Sequence, residues 1–173
     1  MVSQLRSTVK LAKVKSVYTG HIHSVRLTEE AENGFVVKLG DIEANNIEVS
    51  GMVIPATGDG QLVIIANPAI IYDNRNPLES LENKYFMEAG EVVRAYEISK
   101  NDIIGISKLG IEGEAVEGQY LVAGAGMKLV PSATAITEGF CAKVIRFDKV
   151  GGTRSINLTM VPTEYAMIEV LSN

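Results

Sequence analysis

The sequence predicts a mainly β protein made of small β-barrel or β-sandwich halves, with an extended N-terminal arm and one short helix. Short runs rich in Val, Ile and Thr recur along the chain, separated by Gly, Asn and Asp, which is the pattern of short strands joined by turns. The pattern indicates one convincing helix in the whole chain. Hydrophobic residues make up 46% of the 173 residues, which is enough to build a buried core.

The first half divides into an arm over residues 1–20 and an N-terminal β subdomain over 21–75. Phe35, Val37 and Leu39 alternate on one face of a strand, and Gly20 is expected to bend an extended segment. The Asp-Gly pair of 57–60 predicts a tight turn between two apolar runs. The strands predicted in this half are 17–27, 35–39, 47–54, 62–66 and 70–73.

A linker with the one short helix is predicted over 76–88. Asn76 is placed to cap it, Pro77 suits its first position, and Glu79 stands where a capping box has its carboxylate.

The second half, 89–173, is predicted to be a β-barrel-like domain. Turns are expected at 101–102, where the pair Asn-Asp occurs, and at 124–126 and 150–153, where Gly residues gather. The 124–126 stretch begins like a dinucleotide-binding loop, but the third glycine and the following helix pattern are missing. The strands predicted in this half are 91–98, 103–107, 120–123, 127–130, 140–147, 156–161 and 165–171.

Motifs that carry catalysis are missing from the sequence. There is no Walker loop, no Gly-x-Ser-x-Gly elbow and no Asp-x-Asp calcium loop. Cys141 is the one cysteine, and its strand-like neighbours predict a buried structural thiol. The acidic pairs Asp41/Glu43 and Glu112/Glu114 are interpreted as solvated surface. We therefore expect no enzymatic activity, no bound metal and no cofactor.

The two histidines are spaced as His-x-His, which places His21 and His23 on one face of a strand. Such a pair can hold zinc, but zinc needs at least a third protein ligand, and no familiar spacing supplies one. The pair is interpreted as surface or interface histidines. At a subunit contact they would make assembly sensitive to pH, because histidine titrates near neutrality.

Charge is distributed unevenly along the chain. The first 28 residues carry five basic and no acidic side chains, whereas the remainder carries 11 basic and 21 acidic ones and has a net charge of −10. A basic arm on an acidic body is typical of three functions: binding to nucleic acid, binding to an acidic protein partner, and head-to-tail self-association. The spaced charges and few aromatic residues disfavour nucleic acid. The predicted partner contacts are Arg6, Lys10, Lys13, Lys15, Tyr18, His21 and His23.

No apolar run reaches the length that crosses a bilayer, and lysines interrupt the N-terminus where a signal peptide would be apolar. We therefore expect no membrane partner and a chain made and kept in a cytosol.

Four stretches together resemble the small head proteins of tailed bacteriophages, which decorate the capsid. They are Tyr18–Ser24, Glu32–Gly40, Phe86–Tyr96 and Asn101–Ser107. The resemblance covers roughly residues 15–160. It implies a protein without an active site that sits on the outside of the capsid shell in the virion and staples neighbouring major capsid subunits. The implied partners are the major capsid protein and further copies of the chain, as a dimer or trimer.

Two other functions remain open from the sequence. A phage tail or head–tail adaptor protein would share the β-rich, acidic character, and copy number per particle separates it from a decoration protein. A small β-rich carbohydrate-binding module would usually expose Trp or Tyr on one face, and this chain has no Trp.

Overall fold

The structure, a computed structural model, describes residues 5–54, 56–57, 61–69, 82–154 and 160–173, with side chains outside 151–161. The predicted strand 70–73, the helix start at 76–79, most of the turn at 57–60 and most of the predicted strand 156–161 lie outside the described residues.

The described chain is mainly β and contains one short α-helix. Two 3-10 turns, Glu82–Lys84 and Lys108–Gly110, join its strands. Its elements are β1 (Val9–Lys13), α1 (Lys15–Thr19), β2 (Ile22–Arg26), β3 (Val36–Glu43), β4 (Asn46–Val53), β5 (Leu62–Ile65), β6 (Val92–Glu97), β7 (Ile103–Ser107), β8 (Tyr120–Ala123), β9 (Leu129–Ser132), β10 (Cys141–Arg154) and β11 (Met160–Ser172).

Five strands close a small barrel in the order β2-β4-β3-β5-β6. Strands β2 and β4 run parallel, and the other pairs run antiparallel. The barrel interior is filled by apolar side chains that are almost fully buried. They include Val25, Val37, Val63, Ile65, Met87, Val93 and Ala95.

The remaining six strands form one antiparallel sheet in the order β1-β7-β11-β10-β8-β9. Its buried face carries a second apolar core, to which Ile104, Ile106, Leu121, Val144 and Ile168 belong. The connection after β7 reaches across to the β9 edge, where Ile111 bridges to Leu129.

The two cores share a wall, strands β3 and β5. All four residues of β5 are buried, and they alternate between the cores. Val63 and Ile65 point into the barrel, while Leu62 and Ile64 pack with the sheet. The prediction of a buried strand at 62–66 is confirmed, and alternation explains why its sequence is apolar throughout.

The predicted domain boundaries do not match the sheets. Strand β6, which lies beyond the predicted 76–88 linker, completes the barrel by pairing with β2 and β5. The closed barrel is therefore built mainly from the first half, and the second half forms most of the open sheet. The cause is burial: Val93 and Ala95 of β6 belong to the barrel core.

The described part of the predicted arm, residues 5–20, is not a separate extended arm. Strand β1 pairs with β7 at the edge of the sheet, and Val9 and Leu11 pack against its core. After β1 the chain turns into α1, where we expected extended structure, and Gly20 ends this helix at φ 76°. A left-handed residue at that position costs glycine no Cβ clash.

Two other sequence predictions are wrong. The segment 150–153 continues β10 through an irregular pairing between Val150 and Thr153 instead of turning. Pro131 lies inside β9 instead of ending a strand, and β9 spans Leu129–Ser132, not 127–130. Among the named strands β9 pairs only with β8, and an edge strand tolerates a residue without an N–H.

Other predictions are confirmed. Phe35 and Val37 are buried in the barrel core, and Leu39 packs against it. Strands 103–107 and 120–123 match β7 and β8. Cys141 is a free, fully buried thiol in β10.

The shared wall predicts unequal costs for two isoleucine truncations in the barrel. Ile64→Ala removes a fully buried side chain that packs in the core of the sheet, so we expect the free energy of unfolding to fall by about 2–5 kcal/mol. Ile47→Ala is the matched control, because Ile47 is 84% exposed and surface substitutions usually change stability by less than about 0.5 kcal/mol.

Urea unfolding followed by circular dichroism measures both variants. Hydrogen exchange of β6 and β11 then checks that both cores lose protection together in Ile64→Ala. Loss of protection in only one of the two strands would contradict a wall common to both cores.

Candidate protein-binding surfaces

The segment of residues 13–23 carries the chain from the sheet to the barrel, and most of it faces solvent. Val14 and Ser16 are buried and fix the segment to the body. The other residues up to His21 are exposed, and Tyr18 is 80% exposed.

Helix α1 is held at both ends although it has only five residues. Its N-cap residue, Val14, has no side chain that accepts a hydrogen bond. The buried Asp102 replaces it: its Oδ1 accepts the Lys15 backbone N–H at 3.0 Å, and its Oδ2 accepts the Ser99 N–H at 2.8 Å. At the other end the Gly20 N–H donates to the Ser16 carbonyl at 2.9 Å. The N-terminus of the helix is therefore satisfied by a tertiary contact, and its C-terminus by a local backbone bond.

The exposed side of α1 combines aromatic, apolar and cationic groups. Lys15 and Tyr18 are three residues apart and share one helix face, and Val17 beside them is 45% exposed. Tyrosine ranks among the residues enriched at protein interfaces. Within the described ranges no ion pair involves the side chains of Lys13 or Lys15. This surface is therefore ordered before any partner binds.

Two of the predicted contact residues, Arg6 and Lys10, have contacts within their own chain. Arg6 Nη1 lies 2.5 Å from Glu30 and 3.0 Å from Glu32, and its guanidinium stacks on the Phe86 ring at 4.4 Å. Lys10 Nζ lies 4.5 Å from the centre of the Tyr165 ring. These contacts attach β1 to the body, because they link it to other parts of the chain. The predicted contact set of seven residues stays a prediction, and Arg6 and Lys10 have these contacts within the chain.

The two histidines meet one carboxylate. His21 Nδ1 lies 3.1 Å from Glu97 Oε2, and His23 Nε2 lies 2.9 Å from Glu97 Oε1. Strands β2 and β6 place the three side chains together, because His23 pairs with Ala95 and Ile22 with Tyr96. Burial on its own raises the pKa of Glu97, but hydrogen bonds with His23 and His21 outweigh it and hold that pKa below its ordinary value.

A two-stranded ribbon extends past the main sheet. Strand β10 pairs with β8 only at residues 141–143, and β11 pairs with β7 only at residues 165–169. From Asp148 to Arg154, β10 pairs only with Met160–Tyr165 of β11 as far as the described residues show. In the described chain, the outer edges of this ribbon therefore carry backbone N–H and C=O groups without ladder partners.

The base of this ribbon is anchored by one lysine. Lys108 Nζ lies 2.6 Å from Glu164 Oε2 and 5.1 Å from the centre of the Phe147 ring. The hydrogen bond with Lys108 holds the pKa of Glu164 below its ordinary value, and Phe147 packs against the core of the sheet. The ribbon therefore leaves the body from a fixed point.

An exposed acidic loop lies between Ile111 and Tyr120. Glu112, Glu114 and Glu117 are exposed, and Val116 among them is 61% exposed. The backbone of the loop is fixed, because the Glu112 N–H donates to the Leu129 carbonyl and the Gly118 N–H to the Val144 carbonyl, both at 2.8 Å.

Among the described residues, no group of three or more His, Cys, Asp and Glu is placed to hold a metal ion. No helix in that part of the chain is long and apolar enough to cross a membrane. Comparison with protein families, with curated proteins and with solved structures returned no match.

The sequence reasoning missed α1 and the ribbon. The signal for α1 was Gly20, which follows five residues without Gly or Pro and was interpreted as a bend in a strand. The signal for the ribbon was the alternation on both sides of 150–153, which the pair Gly151-Gly152 obscured.

The histidine–glutamate cluster predicts a pH dependence. Because the folded pKa of Glu97 lies below its ordinary value of 4.5, its ionised form stabilises the fold above that pH. This contribution is lost as pH falls through the lowered pKa. Glu97→Gln removes this contribution, so we expect the variant to be less stable than wild type near neutral pH. The difference in the free energy of unfolding between the two proteins should shrink as the pH falls through the lowered pKa. Urea unfolding at several pH values measures it. Parallel stability curves for the two proteins would contradict this role of Glu97.

Proposed function

We propose that this protein is a non-enzymatic structural protein of a tailed-bacteriophage virion. In this proposal it binds the outside of the capsid shell and stabilises contacts between major capsid subunits. The observation that carries the proposal is the β10–β11 ribbon, which leaves the body as two strands without further neighbours among the described residues.

A ribbon of this kind can be stabilised by docking on the surface of a partner protein. A two-stranded ribbon alone is marginally stable in water, and its open edges are templates for pairing with another chain. This ribbon also exposes apolar side chains near its base, with Ile145 45% and Val150 40% exposed. Docking on a capsid subunit would cover these side chains and supply the missing neighbours.

The resemblance to phage head proteins supports the choice of partner. The residues that carry it fall in or beside β2, β3, β6 and β7, which build the barrel and its junction with the sheet. They are therefore part of the framework from which the ribbon and the 13–23 segment extend. What the resemblance implies, a body that presents surfaces to capsid subunits, agrees with that arrangement.

The chemistry of the reactive side chains supports a role without catalysis. Cys141 is fully buried, so its thiol cannot reach a substrate. Both histidines contact Glu97, and their exposed surroundings lack the enclosed pocket that catalytic groups usually occupy.

The physical task explains the design. Packaged DNA presses outward on a thin shell, and the joints between subunits resist that pressure. A clamp that bridges a joint adds buried area there, and a standard protein contact buries about 1,600 Å². Many copies on one shell add their contributions.

Shortening the ribbon tests the proposal. Lys149 pairs with Glu164 in the ladder, so residues 150–163 are replaced by Asn-Gly, a dipeptide that closes a two-residue hairpin. The Lys108–Glu164 contact is thereby kept. We expect the shortened protein to fold and its occupancy on capsids of the same virus to fall at least about tenfold, which is 1.4 kcal/mol of binding free energy.

The matched control places the same Asn-Gly turn in the β3–β4 hairpin, as Ala44→Asn with Asn45→Gly, and should bind like wild type. If the shortened chain does not fold, Val150→Asp tests the ribbon with a single change at an exposed position. If the ribbon variants occupy capsids as fully as wild type does, the ribbon is not the capsid contact. About a dozen copies per particle, instead of hundreds, would favour an adaptor.

A further inference from the structure

One end of β7 carries a group of lysines. Lys13 pairs with Ile103 at the start of this strand, and Lys15 begins the helix that Asp102 caps. Lys100 lies two residues before Asp102 and is exposed, as are Lys13 and Lys15. We call these three lysines, with Val17 and Tyr18, the basic pole.

The nearby acids do not neutralise this pole. Asp102 is buried, and both its oxygens accept backbone N–H groups. Glu97 is held by the two histidines. Glu169 of β11 pairs with Ile103 in the ladder. In the described ranges no ion pair joins Asp102, Glu97 or Glu169 to the three lysines.

The other end of β7 leads to the acidic loop. Ser107 is followed by the turn Lys108–Gly110, and Glu112 comes two residues later. We call Glu112, Glu114 and Glu117, with Val116, the acidic pole. Two cations near it are already paired, Lys108 with Glu164 and Arg146 with Asp148.

The two poles cannot neutralise each other within one molecule. They lie at opposite ends of β7, whose five residues span roughly 15 Å at about 3.3 Å per residue. That distance exceeds the Debye length of about 8 Å at physiological salt. Each pole is therefore left for a partner of opposite charge.

We propose that copies of this chain associate head to tail, with the basic pole of one copy docked on the acidic pole of the next. Three exposed lysines face three exposed glutamates in this contact. Val17 and Tyr18 on one side meet Val116 on the other, which gives an apolar centre inside a charged rim, as protein interfaces commonly have. The occupant is a second copy because the chain itself presents both complementary surfaces.

A head-to-tail contact has a structural consequence. It uses two different patches, so it closes into a ring if the rotation between copies allows and continues as a filament if it does not. On a shell, a closed ring would let each copy direct its ribbon to a different capsid subunit. The association itself does not depend on capsid binding and is measured on the free protein.

A charge exchange tests the contact. The first variant, Lys13→Glu with Lys100→Glu, has two acidic poles, and the second, Glu112→Lys with Glu114→Lys, has two basic poles. Sedimentation velocity at low ionic strength, up to millimolar protein, compares each with wild type. We expect the dissociation constant of each variant alone to rise at least about tenfold, a loss of 1.4 kcal/mol. An equimolar mixture should regain association, because unlike poles then meet.

Salt and a third variant complete the test. Wild-type association should weaken as the Debye length falls from about 30 Å at 0.01 M to about 3 Å at 1 M salt. Glu48→Lys, at an exposed position of β4 that belongs to neither pole, should associate like wild type. A wild-type protein that stays monomeric at low salt, or a mixture that fails to regain association, would overturn the proposal.

Discussion

Strands β3 and β5 are packed on both faces, and the two cores of the protein meet through them. Every residue of β5 is buried, and neighbouring residues serve different cores. Because side chains alternate along a strand, a slip of one residue would turn the side chains of the barrel core toward the sheet and those of the sheet core toward the barrel. This constraint fixes the register of the wall, and through it the position of the barrel on the sheet. The barrel and the sheet are therefore one folding unit, which the domain division predicted from the sequence had separated.

The surfaces proposed for binding extend from this rigid body at defined places. Segment 13–23 bridges sheet and barrel, and its helix is anchored by Asp102 and Gly20. The ribbon leaves the sheet where Lys108 contacts Glu164 and Phe147. Binding through ordered elements loses less conformational entropy than binding through a free arm. Where the sequence predicts an extended basic arm, the structure thus has a paired strand followed by a short helix.

Local patterns predicted the strands well and the partners of charged residues poorly. Phe35, Val37 and the 62–66 run were identified because alternation and continuous apolar character report burial directly. Helix α1 was missed because its cap, Asp102, lies 87 residues away in the chain. Arg6 was assigned to a partner although its carboxylates, Glu30 and Glu32, lie in its own chain. Charge composition says nothing about which acid a given base will meet.

The central claim is that this chain clamps capsid subunits from outside the shell. A cryo-electron microscopy map of the virion that contains it tests this most directly. The account predicts density for the barrel and sheet on the outer surface, in many symmetry-related copies, with the β10–β11 ribbon lying against a major capsid subunit. Density confined to the head–tail vertex, or no copy of the chain on the outer surface, would contradict it.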